Sequence, residues 1–429
     1  MIRPKLSTSV SAVTRRRFLA FAGVAGAGAL AVGATQVRWA DLVRAAATTP
    51  LDPAAGVLVV ITLYGGNDGL NTVVPAADPA YQQARAELAY RPDEVLDLGE
   101  GLGLNPGLKG LHGLWQDQGL AVVRGVGYPK ADRSHFRSMA IWQTGSPEAP
   151  TRSGWLGRWL DATTTDPLHA VSLDPVTPPL LAGEKLAAAS FPLSGLTLPQ
   201  GGLGTAIGAL AAPDPDDDHW LSLAAKQYAD LGSAGRTLGP ALERQRSAEK
   251  DDDQDQGDDE STKGGSAGGQ GQLAAQLDLV ATMIDMGVPT RVYSVSLGGF
   301  DTHSDERGTQ QRLLGELDAA VSGFRDRLAN SERGRQVVTM IYSEFGRRVA
   351  ANASDGTDHG TAGPVFLFGD GVRGGFLGDE PSLTDLDDGD LRAGTDFRSI
   401  YASVLDRVLG ADSEPLLAGY SQRLDGLFT

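Results

Sequence analysis

Cysteine is absent from this chain of 429 residues. That excludes disulfides, thiolate nucleophiles and cysteine metal ligands, so any metal must be held by oxygen and imidazole. Long apolar runs are also missing. The most apolar stretch, 20–34, is rich in Gly and Ala and shorter than the roughly 20 strongly apolar residues of a membrane span. Positive charge is in deficit, with 37 Lys and Arg against 54 Asp and Glu. Such a surface repels phosphate backbones and anionic lipid heads, which argues against nucleic-acid or membrane-surface binding. No period of 20–50 residues marks a repeat array. What remains, 41% hydrophobic residues and 56 glycines, suits a globular α/β protein.

The N-terminus carries Thr14-Arg15-Arg16-Arg17-Phe18-Leu19, then the mild apolar stretch, then Ala45-Ala46-Ala47. This is the charged, apolar and cleavable layout of a signal peptide, and paired arginines address the bacterial twin-arginine export machinery. Residues 1–47 are therefore expected to be a signal, and 48–429 a single exported domain, periplasmic or extracellular, with no stable membrane span. Residues 1–47 hold seven of the basic and one of the acidic residues, so 30 basic and 53 acidic remain and the net charge becomes −23.

Continuous β-branched or apolar runs at 56–63, 120–124, 291–297, 336–342 and 364–368 read as buried strands of a parallel sheet. Helix-period segments at 272–286 and 310–329 alternate with them, which predicts a mostly parallel central sheet with helices on both faces. The segment 246–272 is acidic and then Gly- and Ser-rich, and reads as a disordered insertion. It lacks the ligand spacing of a calcium loop.

In an open parallel sheet, ligands bind beyond the carboxyl ends of the strands, so polar residues following a strand are the site candidates. The first strand runs into Gly65-Gly66-Asn67-Asp68-Gly69, where Asp68 is either a ligand or part of an ordinary turn. The run ending at Leu297 leads to Asp301-Thr302-His303, a pair able to bind one divalent cation or to bond within a turn. Glu344 ends an apolar strand, where a carboxylate must be paired, protonated or metal-bound; Arg347 can neutralise it. His359 lies between Asp358 and Gly360 just before the next strand, with Asp358 as a ligand or as the carboxylate that orients an imidazole. Asp132-Arg133-Ser134-His135 precedes an apparent helix, so Ser134 is a nucleophile helped by the helix N-terminus or only its N-cap, with His135 as the functional member. His112, His169 and His219 have no such setting. Four strand ends bearing these groups fit a hydrolytic centre of one or two divalent metals (zinc, manganese, calcium or magnesium).

These segments, with Trp142-Gln143-Thr144-Gly145 and Thr395-Asp396-Phe397-Arg398, resemble the exported bacterial proteins gathered as domain of unknown function 1501. That family is similar to the alkaline phosphatase and sulfatase superfamily. The resemblance implies an alkaline phosphatase-like α/β fold, with metal at Asp68, Asp301, His303, Glu344, Asp358 and His359 and catalytic roles for Ser134, His135 and Arg347. It implies a phosphate or sulfate ester, small or polymeric, as substrate, attacked by Ser134 or a hydroxide on the metal. Phe345 stands where the superfamily has a histidine, which leaves an exported non-catalytic binding or accessory protein as the alternative.

Overall fold

A computed structural model describes residues 35–37, 39–148, 151–174, 177–191 and 272–429. The twin-arginine segment and nearly all of the acidic insertion lie outside the described residues.

One large sheet organises the chain. Its strands are β1 (Thr35–Gln36), β2 (Val57–Leu63), β3 (Leu120–Gly127), β4 (Ala170–Ser172), β5 (Ala189–Ser190), β6 (Val292–Leu297), β7 (Val337–Ser343), β8 (Gly363–Gly369), β9 (Gly375–Leu377) and β10 (Thr395–Asp396). They lie in the order β1-β5-β4-β6-β2-β7-β8-β3-β9, with β10 also on β3. All five runs expected as strands are present. The expectation of parallel pairing fails at one of them: β8 runs antiparallel to both β7 and β3, while every other pair in the sheet is parallel. A buried apolar run identifies a central strand but carries no direction, and here the short excursion from β7 to β8 returns the chain as a neighbour rather than through a crossover.

The helices are α1 (Trp39–Thr48), α2 (Pro79–Arg85), α3 (Lys109–Gln116), α4 (His135–Thr144), α5 (Trp155–Thr163), α6 (Leu273–Met286), α7 (Glu306–Ala329) and α8 (Phe397–Arg407). Alternation along the strands separates two cores. Val57, Val59, Ile61, Val295 and Ile341 face α3, α6 and α7, whereas Leu58, Val60, Val292, Met340 and Leu367 face α4, α5 and α8. A sheet with both faces covered has near-continuous apolar strands, and β2 is buried at all seven positions. No described helix is long and apolar enough to cross a membrane.

Candidate metal centre

Direction and order in the sheet gather the chemistry at one edge. β2, β3, β6 and β7 end there and the antiparallel β8 begins there, so His135 arrives from the connection after β3, Asp301 from the loop after β6, and Glu344 and His359 from the two ends of the β7–β8 loop.

The side chains meet at Asp301 Oδ1. His135 Nε2 lies 3.3 Å from it, His303 Nε2 3.0 Å and His359 Nε2 3.2 Å. His135, Asp301 and His359 offer ligand atoms all within 4.8 Å of one another, and His303 Nε2 is 2.9 Å from His359 Nε2. Behind each imidazole stands an acceptor for Nδ1: Glu344 Oε1 at 2.8 Å for His135, Asp358 Oδ1 at 3.3 Å for His303, and the Arg133 carbonyl at 2.8 Å for His359. A carbonyl only accepts, so His359 carries its proton on Nδ1 and its Nε2 presents a lone pair to the centre. The same tautomer follows for His135 and His303 opposite carboxylates. Lone pairs converging on a carboxylate oxygen repel unless a cation sits among them. His135 Nε2 is also buried without a hydrogen-bond partner. The donor set therefore fits a divalent metal.

The electrostatics agree. Burial opposes the charge on His135, but the Asp301 and Glu344 carboxylates on either side of it push its pKa up to about 9, so without a metal the ring takes up a proton at Nε2, and a metal ion would replace that proton. Burial likewise opposes charge on Asp301, yet His135, His359 and Arg347 hold its carboxyl far below the usual range.

Several expected roles change. Asp68 is not among the converging donors. Its carboxylate is 1% exposed and is gripped by the Arg85 guanidinium, Nη2 at 2.8 Å, while Oδ1 caps the turn at Leu70 N. A carboxylate this deeply buried is stable only when paired, and α2 supplies the pair. Glu344, expected as a ligand, lies behind His135 rather than among the converging donors: Oε1 accepts from His135 and Gly65 N and Oε2 from Ser343 Oγ. Asp358 takes the orienting role left open for it. His135 joins the converging donors instead of acting as a catalyst beside them. Arg347 does not neutralise Glu344. It is buried and clamps the carbonyls of Gly65, Gly66, Phe300 and Thr357 together with Asp301 Oδ1, Nη2 at 2.6 Å, so it cannot reach a substrate. Ser134 is the N-cap residue of α4, exposed, and its hydroxyl makes neither a cap bond nor any other hydrogen bond among the described residues.

Two supports were missed by sequence reasoning. Arg133 contributes through its backbone, which no motif reveals; its side chain pairs with Asp388 and Asp390. Asn352 bonds both the His303 carbonyl, at 3.0 Å, and Asp358 Oδ1, at 3.4 Å, and its place after Ala350-Ala351 gave no signal.

The family model described as Protein of unknown function (DUF1501) matches residues 113–428, which include every residue of this centre. The chain belongs to that family. No curated protein matches the sequence. The DUF1501 chain is also similar to solved structures. One is a protein in the alkaline phosphatase superfamily from Vibrio parahaemolyticus, at 11% identity and TM-score 0.40 over 89% of this chain and 76% of that one. Another is the phosphonate monoester hydrolase of Agrobacterium radiobacter, at 12% identity and TM-score 0.31 over 87% and 78%. A third is a 2-O GAG sulfatase, at 9% identity and TM-score 0.31 over 86% and 76%.

Proposed function

We propose that this DUF1501 protein is an exported metal-dependent hydrolase of phosphate or sulfate esters. The convergence of three Nε2 atoms on Asp301, each imidazole fixed from behind, is the observation that carries it. His135, Asp301, His303 and His359 would hold the ion. An imidazole-rich set with one carboxylate favours zinc or a similar transition metal over calcium or magnesium. With Asp68 paired to Arg85, the described residues provide for one ion at this centre rather than two.

A divalent metal bound there would polarise an ester oxygen and stabilise the charge that builds on it. The chain's own groups do the rest. Glu344, Asp358 and the Arg133 carbonyl hold the imidazoles in one tautomer and orientation. Arg347 fixes Asp301 against three loops. Ser134, exposed and directly before His135 at the N-terminus of α4, offers a free hydroxyl where the helix dipole favours developing negative charge. The exposed side of Asp301 and His303, 41% and 44%, leaves an approach for substrate.

One observation favours a second reading. Three histidines and one aspartate complete a tetrahedral set, as in structural sites, and no described group stands ready to take the Ser134 proton. An exported binding or accessory protein with a structural ion has the same geometry. Elemental analysis of protein purified without chelator should find about one equivalent of transition metal, as a site with this donor set requires. Absence of metal, with none taken up on addition, would overturn both readings. A panel of phosphate monoesters, diesters and sulfate esters, run on wild type and His303→Ala, then separates them: turnover lost in the variant supports the hydrolase, and bound metal without turnover supports the accessory role.

A further inference from the structure

The sheet face beneath α4 and α5 changes character towards its carboxyl edge. Lower down it presents Leu58, Val60, Ala170 and Val292; higher up the same face presents Ser172, Ser294 and Ser296, each at most 1% exposed. Ser172 and Ser294 are register partners, the last pair that β4 and β6 make. Beyond them the strands part, and Gln276 from α6 fills part of the gap by bonding Leu173 O and Ser296 N.

Asp174 enters this gap two residues after β4. It is 4% exposed and makes no ion pair among the described residues. Oδ2 accepts from Ser294 Oγ at 2.8 Å and Ser172 Oγ at 3.1 Å, while Oδ1 is buried with no hydrogen-bond partner among the described residues. Ser296 Oγ faces the same carboxylate and favours its charged form, although its geometry falls short of a full hydrogen bond. A buried carboxylate met only by hydroxyls, with one oxygen lacking a full hydrogen bond, is costly, and such groups are normally paired, hydrated or bound to a cation.

We propose that Asp174, Ser172, Ser294 and Ser296 form a second cation site, separate from the histidine centre, that takes an alkali ion, sodium or potassium. The donors are all oxygen, which excludes the soft and borderline metals suited to the histidines. They carry a single negative charge, which a monovalent ion neutralises, whereas a divalent ion would leave a net positive charge in a buried setting.

The test is thermal unfolding of the full chain at constant ionic strength, with N-methylglucamine chloride replaced stepwise by sodium or potassium chloride. A ligand that binds only the folded state raises Tm saturably, so wild type should show a saturable rise, and the rise should survive EDTA, which strips the histidine centre and keeps the two sites distinguishable. Asp174→Asn should abolish it. Ser296→Ala, which leaves the Ser172 and Ser294 bonds to Asp174 in place and so tests the site even if the first variant fails to fold, should weaken the apparent affinity by about tenfold or more. The assignment is overturned by an equal Tm in the organic and alkali salts, which means ordered water alone. It is overturned equally by a response that Ser296→Ala leaves unchanged, or by saturation with calcium but not with the alkali ions.

Discussion

At the scale of the residue, the centre is governed by what stands behind each imidazole. Replacing Glu344 by Gln should leave the fold intact but let His135 rotate and change tautomer, and removing an orienting partner of a ligand typically costs 10–100-fold in metal affinity. Asp358→Asn should act the same way through His303, more weakly because that contact is longer and exposed. Competition with a chromophoric chelator measures both, and unchanged affinity in Glu344→Gln would remove it from the centre. A second residue-scale prediction concerns Asp68, Arg85 and Glu306, two buried carboxyls that share one guanidinium. Burial and the neighbouring Asp68 push Glu306 up to about 9, while Arg85, against the cost of burial, holds Asp68 below its usual value. The raised group keeps its proton in the folded state and loses it in the unfolded one near 4.5. Its contribution to stability is therefore full below 4.5 and is lost as pH rises towards 9, with a limiting slope near 1.4 kcal/mol per pH unit. Asp68 acts oppositely, its contribution present above its unfolded value and lost in acid. Urea unfolding at pH 6 and 8.5 should show Glu306→Gln removing part of the alkaline loss; identical pH dependence in both proteins would contradict the assignment. His135, Asp301, His303 and His359 were legible in the sequence because histidine and carboxylate after apolar runs are rare and conspicuous. Their individual roles were not, because ligand and orienting group differ only in which atom points where.

At the scale of the element, the strands were legible because burial on both faces removes polar positions and leaves a plain signal. Short flanking strands such as β4 and β5 were not, since two or three residues carry no period. Turns show the reverse case. Gly65, on the loop after β2, has φ +117°, and a Cβ there would lie 2.5 Å from Asp301 N. Gly65 thereby lets the backbone approach the Asp301 loop. Gly65→Ala should cost about 1–3 kcal/mol for the strained backbone and weaken metal binding by displacing Asp301. Gly323 in α7 has open space around its missing Cβ, so Gly323→Ala should stabilise by about 1 kcal/mol with metal binding untouched. Calorimetry and metal titration on the pair check this, and a Gly65→Ala variant with normal metal affinity would show that the loop approach does not position the centre.

At the scale of the whole molecule, the two halves of the sequence interleave: β6, β7 and β8 lie among β4, β2 and β3, so neither half has a sheet of its own. The sequence order suggested one sheet but not this interleaving, because pairing between distant strands leaves no local mark. The same holds at the sheet edge. β1 pairs in parallel with β5, α1 packs on α6, and Leu42 is fully buried in the core with Val37 beside it. The small residues Ala45-Ala46-Ala47 that read as a cleavage site lie inside α1. Cleavage after Ala47 would withdraw Leu42, leaving a cavity whose cost for a buried Leu is about 2–5 kcal/mol, and would uncover the edge of β5. A chain starting at Thr35 should therefore melt several degrees above one starting at Thr48, as a loss of that size in a large domain implies. If both melt together, the segment adds nothing to the folded domain, and cleavage at the alanines leaves it whole. If they differ as expected, and the chain is exported folded as we propose, its N-terminus after export, read by intact mass, should lie before Thr35, because a docked helix is presented poorly to a peptidase that needs extended chain.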